Sequence, residues 1–129
     1  MYGLDTNILL RLITADDERQ KQEALDLIER YGDDGEFLIS SIVLCEFVWT
    51  LSRTFQYSKN GIVSALELIL QIKTIKFIDE DEVLEAIILY LQSSFDFSDI
   101  LIGLIHKSYG LNSLLHSPKK LPNLHYLNQ

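Results

Sequence analysis

Cysteine is almost missing from this chain of 129 residues: Cys45 stands alone. One thiol excludes a disulfide framework and a cysteine-based zinc site within a single chain. Proline and glycine are also scarce, with two and six residues. With hydrophobic residues at 47% and charged residues at 23%, that scarcity excludes collagen-like, low-complexity and disordered classes. Basic charge is short: 11 Lys and Arg face 19 Asp and Glu, a net charge of −8. A broad nonspecific nucleic-acid surface would be basic, so that class is disfavoured. An enzyme that grips nucleic acid through a few local cations or a bound metal is not. Long apolar runs are absent too. The longest uninterrupted one, residues 86–91, is far short of the ~18 residues of a membrane span. The first residues, Met1-Tyr2-Gly3-Leu4-Asp5, show no basic region, apolar core or cleavage site. The expectation is a cytoplasmic protein with no membrane partner.

The length fits one domain spanning 1–129. A chain of this size hides about two thirds of its unfolded surface and needs no staple. Short apolar runs alternate with longer segments of helical period. Strands are expected at residues 2–5, 36–39, 75–78 and 113–116, with a fifth at 124–127. Helical or turn-like content is expected over 8–13. A capped amphipathic helix follows over 16–31, with acids at its start and Gly32 at its end. Further helices are expected from Ser40 or Ser41 to about Phe55, after Ser58, from Asp79 or Asp81 to about Leu91, and over 99–109 before Gly110. This alternation predicts an α/β fold, a three-layer α/β/α sandwich with a mostly parallel central sheet. Such sheets bind ligands at the carboxyl ends of their strands, where strand order reverses.

Acids in apolar surroundings are the strongest chemical signal. Asp5 ends the first expected strand. Glu46 sits in Ile-Val-Leu-Cys-Glu-Phe-Val-Trp. Asp96 and Asp99 bracket the start of the most apolar helix. Buried charges need partners. Each acid also has a plain local reading: Asp5 as a turn residue, Asp96 or Asp99 as a helix cap, Glu46 on a polar stripe with Thr50 and Arg53. Together they read differently, because a strand end, an early helical turn and a helix N-terminus can face one point above a sheet. Three carboxylates about 5 Å apart repel by on the order of 3 kcal/mol per pair at an effective dielectric near 20. A cation or shared protons make such a cluster tolerable, and an all-oxygen site suits Mg²⁺ or Mn²⁺.

Three blocks, Leu4-Asp5-Thr6-Asn7-Ile8-Leu9, Ser41 to Glu46 before Phe47 and Trp49, and Asp96-Phe97-Ser98-Asp99-Ile100-Leu101, occur in order at this length. In them the chain resembles the PIN-domain family, and within it the VapC-like toxin ribonucleases. The resemblance implies a metal-dependent endoribonuclease that leaves a 5′-phosphate and a 3′-hydroxyl. By match, Asp5, Glu46 and Asp99 would be catalytic and metal-binding acids, with Asp96 a further ligand. Thr6 or Asn7 would orient Asp5 or a water. The implied ion is Mg²⁺ or Mn²⁺; the implied partners are RNA, a cognate antitoxin protein and a second copy of the chain. Arg11, Lys119 and Lys120 are candidate phosphate contacts.

One departure stands out. Members of the family usually carry another Asp after the fourth strand. Here that segment reads Ser113-Leu114-Leu115-His116-Ser117-Pro118, and no Asp or Glu follows Asp99. Leu115 or Ser117 occupies the position, depending on a small gap, and His116 and Ser117 would be weaker ligands. The same absence raises a second reading, a catalytically weakened PIN-like module used for binding or dimerisation. Elsewhere, His106 reads as a satisfied core or surface histidine, Cys45 as buried and inert, and Phe47 and Trp49 as core or dimer contacts.

Overall fold

The computed structural model describes residues 2–14, 17–32 and 35–111. Backbone contacts divide the chain after Ile78 into two compact units. In the first, β1 (Tyr2–Gly3), α1 (Thr6–Thr14), α2 (Glu18–Gly32), β2 (Phe37–Ile39), α3 (Ser41–Arg53), α4 (Lys59–Leu70) and β3 (Ile75–Phe77) follow one another. The three strands form a parallel sheet in the order β1-β2-β3, with Gly3 opposite Leu38 and Leu38 opposite Lys76. Parallel neighbours cannot be joined by tight turns, so each step crosses over through a pair of helices.

Central β2 carries the tightest burial: Phe37 and Ile39 are 2% and 0% exposed. A strand covered on both faces reads as a continuous apolar run, as Phe-Leu-Ile does. On the helices, Leu9 and Leu12 of α1, Leu44, Phe47 and Leu51 of α3, and Ile62, Leu66 and Ile69 of α4 are buried. Their three- and four-residue spacings are those of a helix covering a sheet on one side. The Ser40 and Ser58 hydroxyls accept bonds from the Val43 and Gly61 N–H groups, capping α3 and α4 as expected.

The second unit, as far as it is described, is a helical pair, α5 (Glu80–Gln92) and α6 (Phe97–Ser108). Val83, Ala86, Ile87 and Tyr90 of α5 are buried, as are Ile100, Leu101 and Leu104 of α6. Tyr90 meets Phe97 edge-on, with ring centroids 5.6 Å apart.

The α/β class and the parallel sheet are as the alternation predicts. Some boundaries differ, while α5 opens at Asp79 as expected. The first strand stops at Gly3, because the Asp5 side chain turns the backbone into α1. The expected break over 95–98 is shorter: α6 starts at Phe97, whose ring is 2% exposed. Asp79 precedes α5 in the left-handed region, φ 58°, and its side chain makes no capping bond. The expected strands at 113–116 and 124–127 lie outside the described residues. So does any reversal of strand order they would create. No helix among the described residues is long and apolar enough to cross a membrane.

Candidate active site

Parallel strands point their carboxyl ends the same way, so β1 and β2 of the first unit deliver Asp5 and Ser40 to one edge of the sheet. The Leu4 N–H donates to the Leu38 carbonyl at 2.9 Å and holds this register past the end of β1. The next residue, Asp5, is exposed. Its Oδ1 accepts the Ile8 N–H at 3.0 Å. Asp5 is thus the N-cap of α1, and its charge stands at the positive end of the helix dipole. The plain reading of Asp5 as a backbone-bound turn residue is correct as far as Oδ1 goes. Thr6 is buried and Asn7 exposed.

Glu46 projects from α3, about 7 Å of helix rise beyond Ser41. It is exposed, although its neighbours in sequence are apolar. The reason is a surface stripe in which apolar residues take part: Ile42 and Trp49 are 80% and 59% exposed, and Arg53 is exposed on the same face. Apolar sequence context therefore does not mean burial here. Phe47 is core and Trp49 is surface. Cys45 is half-buried rather than buried, and it has a bonding partner. The Ser41 hydroxyl, in the first turn of α3, is buried without a hydrogen-bond partner among the described residues.

In the second unit Asp96 is the N-cap of α6 by backbone position, without a side-chain capping bond, and it is exposed. Asp99 is half-buried in the first turn of α6, where a negative charge meets the helix N-terminus favourably. The Tyr90 hydroxyl is held above its ordinary pKa of 10.0, chiefly by burial and then by the negative charge of Asp96. His106 is half-buried and has a partner, as read.

The premise that these acids are buried is thereby corrected: Asp5, Glu46 and Asp96 face solvent and Asp99 is partly covered. Within either unit, no three His, Cys, Asp or Glu side chains among the described residues gather into a metal-holding group. Two of the candidate acids belong to the first unit and two to the second. Lys119, Lys120, His116 and Ser117 lie outside the described residues.

Two hollows flank the start of α1. A small one, about 190 Å³, has Asp5 and Ile8 on its rim and Tyr2, Leu27 and Tyr31 among its walls. The Tyr2 ring meets Tyr31 edge-on at 5.2 Å. The larger, about 530 Å³, runs along the opposite face of α1 past Asn7 and Arg11, towards Gln20 and Phe55. Of these groove residues, Gln20 and Phe55 are not among the functional candidates of the sequence, where Phe55 only marks a helix end. Their only signal there is position near a helix end, which does not distinguish them from other surface residues.

The sequence profile of the PIN domain matches residues 2–123. The chain belongs to the PIN-domain family. Its fold is the PIN fold, and the family's members are nucleases. Among solved structures, the chain is similar to the Mycobacterium tuberculosis VapC20 toxin, which is described as cleaving the Sarcin-Ricin loop. Identity is 18%, over 86% of this chain and 85% of that one, with a TM-score of 0.40. No functionally curated protein matches the sequence significantly.

Proposed function

We propose that this PIN domain is a Mg²⁺- or Mn²⁺-dependent endoribonuclease, and the toxin of a toxin–antitoxin pair. Membership of the PIN family over residues 2–123 carries the reading. The acids support it. Asp5 sits at the carboxyl end of a parallel strand, where open α/β sheets place their ligands. Its Oδ2 remains available once Oδ1 has taken the Ile8 N–H. Glu46, Asp96 and Asp99 are the further candidate ligands that the family resemblance implies. Hard carboxylate oxygens with solvent access are the donor chemistry that fits Mg²⁺ or Mn²⁺.

When bound, the ion supplies an acidified water and offsets charge on the phosphoryl oxygens. The chain's own residues do the rest. Asp5 is fixed by its cap bond and is exposed. By the family resemblance, Glu46 and Asp99 are the other acids whose charge would hold a cation. The reading includes a cytoplasmic location, an antitoxin partner and a homodimer.

The absence of any acid after Asp99 favours a second reading, a binding module without full activity. One experiment separates the two. A fluorogenic RNA is incubated with the chain, with and without Mn²⁺, alongside Asp5→Asn and Ser117→Asp. Metal-dependent cleavage that Asp5→Asn abolishes supports the enzyme, and faster cleavage by Ser117→Asp would show that the last acid had been limiting. A parent chain that binds an antitoxin but cuts no RNA supports the module.

A further inference from the structure

The larger groove on α1 is polar, and its chemistry is specific. Asn7, Leu10, Arg11 and Thr14 line one side at spacings of three and four, a single face of α1. Arg11 is exposed, and no ion pair to it forms among the described residues. That is notable in a chain of net charge −8. Asp17 also lines the groove, but its Oδ1 accepts the Arg19 N–H at 2.9 Å and so caps the start of α2. The Thr14 hydroxyl donates to the Leu10 carbonyl at 2.7 Å, leaving its oxygen to accept. Across from α1, Phe55 offers an aromatic ring that is 43% exposed.

The ring is held where it is by the way α3 ends. The Phe55 N–H still bonds to the Thr50 carbonyl at 3.2 Å, Gln56 turns left-handed at φ 56°, and the Tyr57 N–H returns to the Leu51 carbonyl at 2.9 Å. A non-glycine residue in that region costs on the order of 1 kcal/mol. The sharp exit it creates leaves Phe55 at the helix end with its ring in the groove.

We infer that this groove seats one nucleotide of single-stranded RNA: base on Phe55, phosphate on Arg11. The inference rests on the nuclease reading above. An exposed guanidinium, an exposed ring, two amides and a carboxylate are what a nucleotide needs: charge for its phosphate, a π-face for its base, and donors and acceptors for the base edge. Along the helix axis Arg11 lies about 9 Å of rise from Asp5, on a different face of α1. A duplex would not enter, because its bases are stacked and paired. The occupant is an unpaired loop or tail.

The test is binding of a fluorescein-labelled, mixed-sequence single-stranded RNA to the full chain, read by anisotropy in EDTA so that no cleavage intervenes. A parallel assay in Mn²⁺ reads cleavage of the same RNA by the parent. Phe55→Ala should weaken binding about tenfold, while Phe55→Trp keeps it. Phe55→Leu retains apolar bulk without the ring; it should weaken binding as Phe55→Ala does, which separates stacking from folding. Arg11→Gln should weaken binding and reduce the slope of log affinity against log salt by about 0.7, one phosphate contact. If the parent binds and cleaves but neither Phe55→Ala nor Arg11→Gln changes affinity beyond about twofold, the groove assignment falls and the nuclease reading stands. If the parent neither binds nor cleaves, both fall. If the two variants bind RNA normally but lose an antitoxin, the groove docks protein and the RNA assignment is wrong.

Discussion

Asp5 carries two duties that substitution can separate. As N-cap it satisfies the Ile8 N–H; as a candidate ligand it supplies charge. Asparagine caps as well as aspartate, so Asp5→Asn should leave the melting temperature within a degree or two of the parent while removing cleavage. Asp5→Ala should remove cleavage and also cost about 1 kcal/mol of stability, read by urea denaturation. Equal stability losses in both would mean that the charge, not the cap, is structural. Tyr90 gives a second single-residue prediction. Its pKa is raised in the folded chain, so the native state retains the phenolic proton longer than the unfolded state. The stability this contributes is fully present below 10.0 and is lost as pH climbs from there through the folded value. Alkaline unfolding should therefore be blunted in Tyr90→Phe. Asp96→Asn should lower the phenol's pKa only partly, since burial is the larger cause; phenolate absorbance across a pH titration checks both.

At the scale of elements, α3 is the piece most exposed to local choices. Its start depends on the Ser40 hydroxyl, 3.2 Å from the Val43 N–H. Its end depends on Gln56 adopting φ 56°. Ser40→Ala should cost about 1 kcal/mol. Gln56→Gly should relieve the left-handed strain and stabilise by up to about 1 kcal/mol, because glycine meets no Cβ penalty there. Chemical denaturation of both variants reads the two signs, and a destabilising Gln56→Gly would mean that the side chain makes up for its backbone. Most of the elements were legible in the sequence for the same local reasons. Ser40 and Ser58 precede apolar periodic runs, and both cap. The start of α6 was not, because Phe97 looks like part of an aromatic break until its burial beside Tyr90 is known.

For the whole molecule, the decisive quantity is linkage between metal and folding. An ion at ten times its dissociation constant adds RT ln 11, about 1.4 kcal/mol, to the stability of the state that binds it. For a domain of this length that is roughly 5 °C in melting temperature. Mn²⁺ should produce such a shift in the parent, less in Asp5→Asn and Glu46→Gln, and the full shift in Glu67→Gln, an exposed acid of α4. A shift of the same size in all four would be the acidic surface condensing counterions, without a site.

By itself the sequence determined the α/β class, the parallel strands at β1, β2 and β3, and most helix limits. These follow from period, capping and residue chemistry, all local in the chain. It offered the exposed stripe of Glu46 and Arg53 as one reading but left open which side of α3 meets water. Glu46 lies among apolar residues in sequence, yet Ile42 and Trp49 share its exposed face, because the core of α3 is filled by Leu44, Phe47, Val48 and Leu51. Nor could it join Arg11 to Phe55, which are distant in the chain and meet across one groove only because α1 and α3 pack together. Burial and such encounters depend on which surfaces the crossovers bring together, and that is set by tertiary packing and not by any window of sequence.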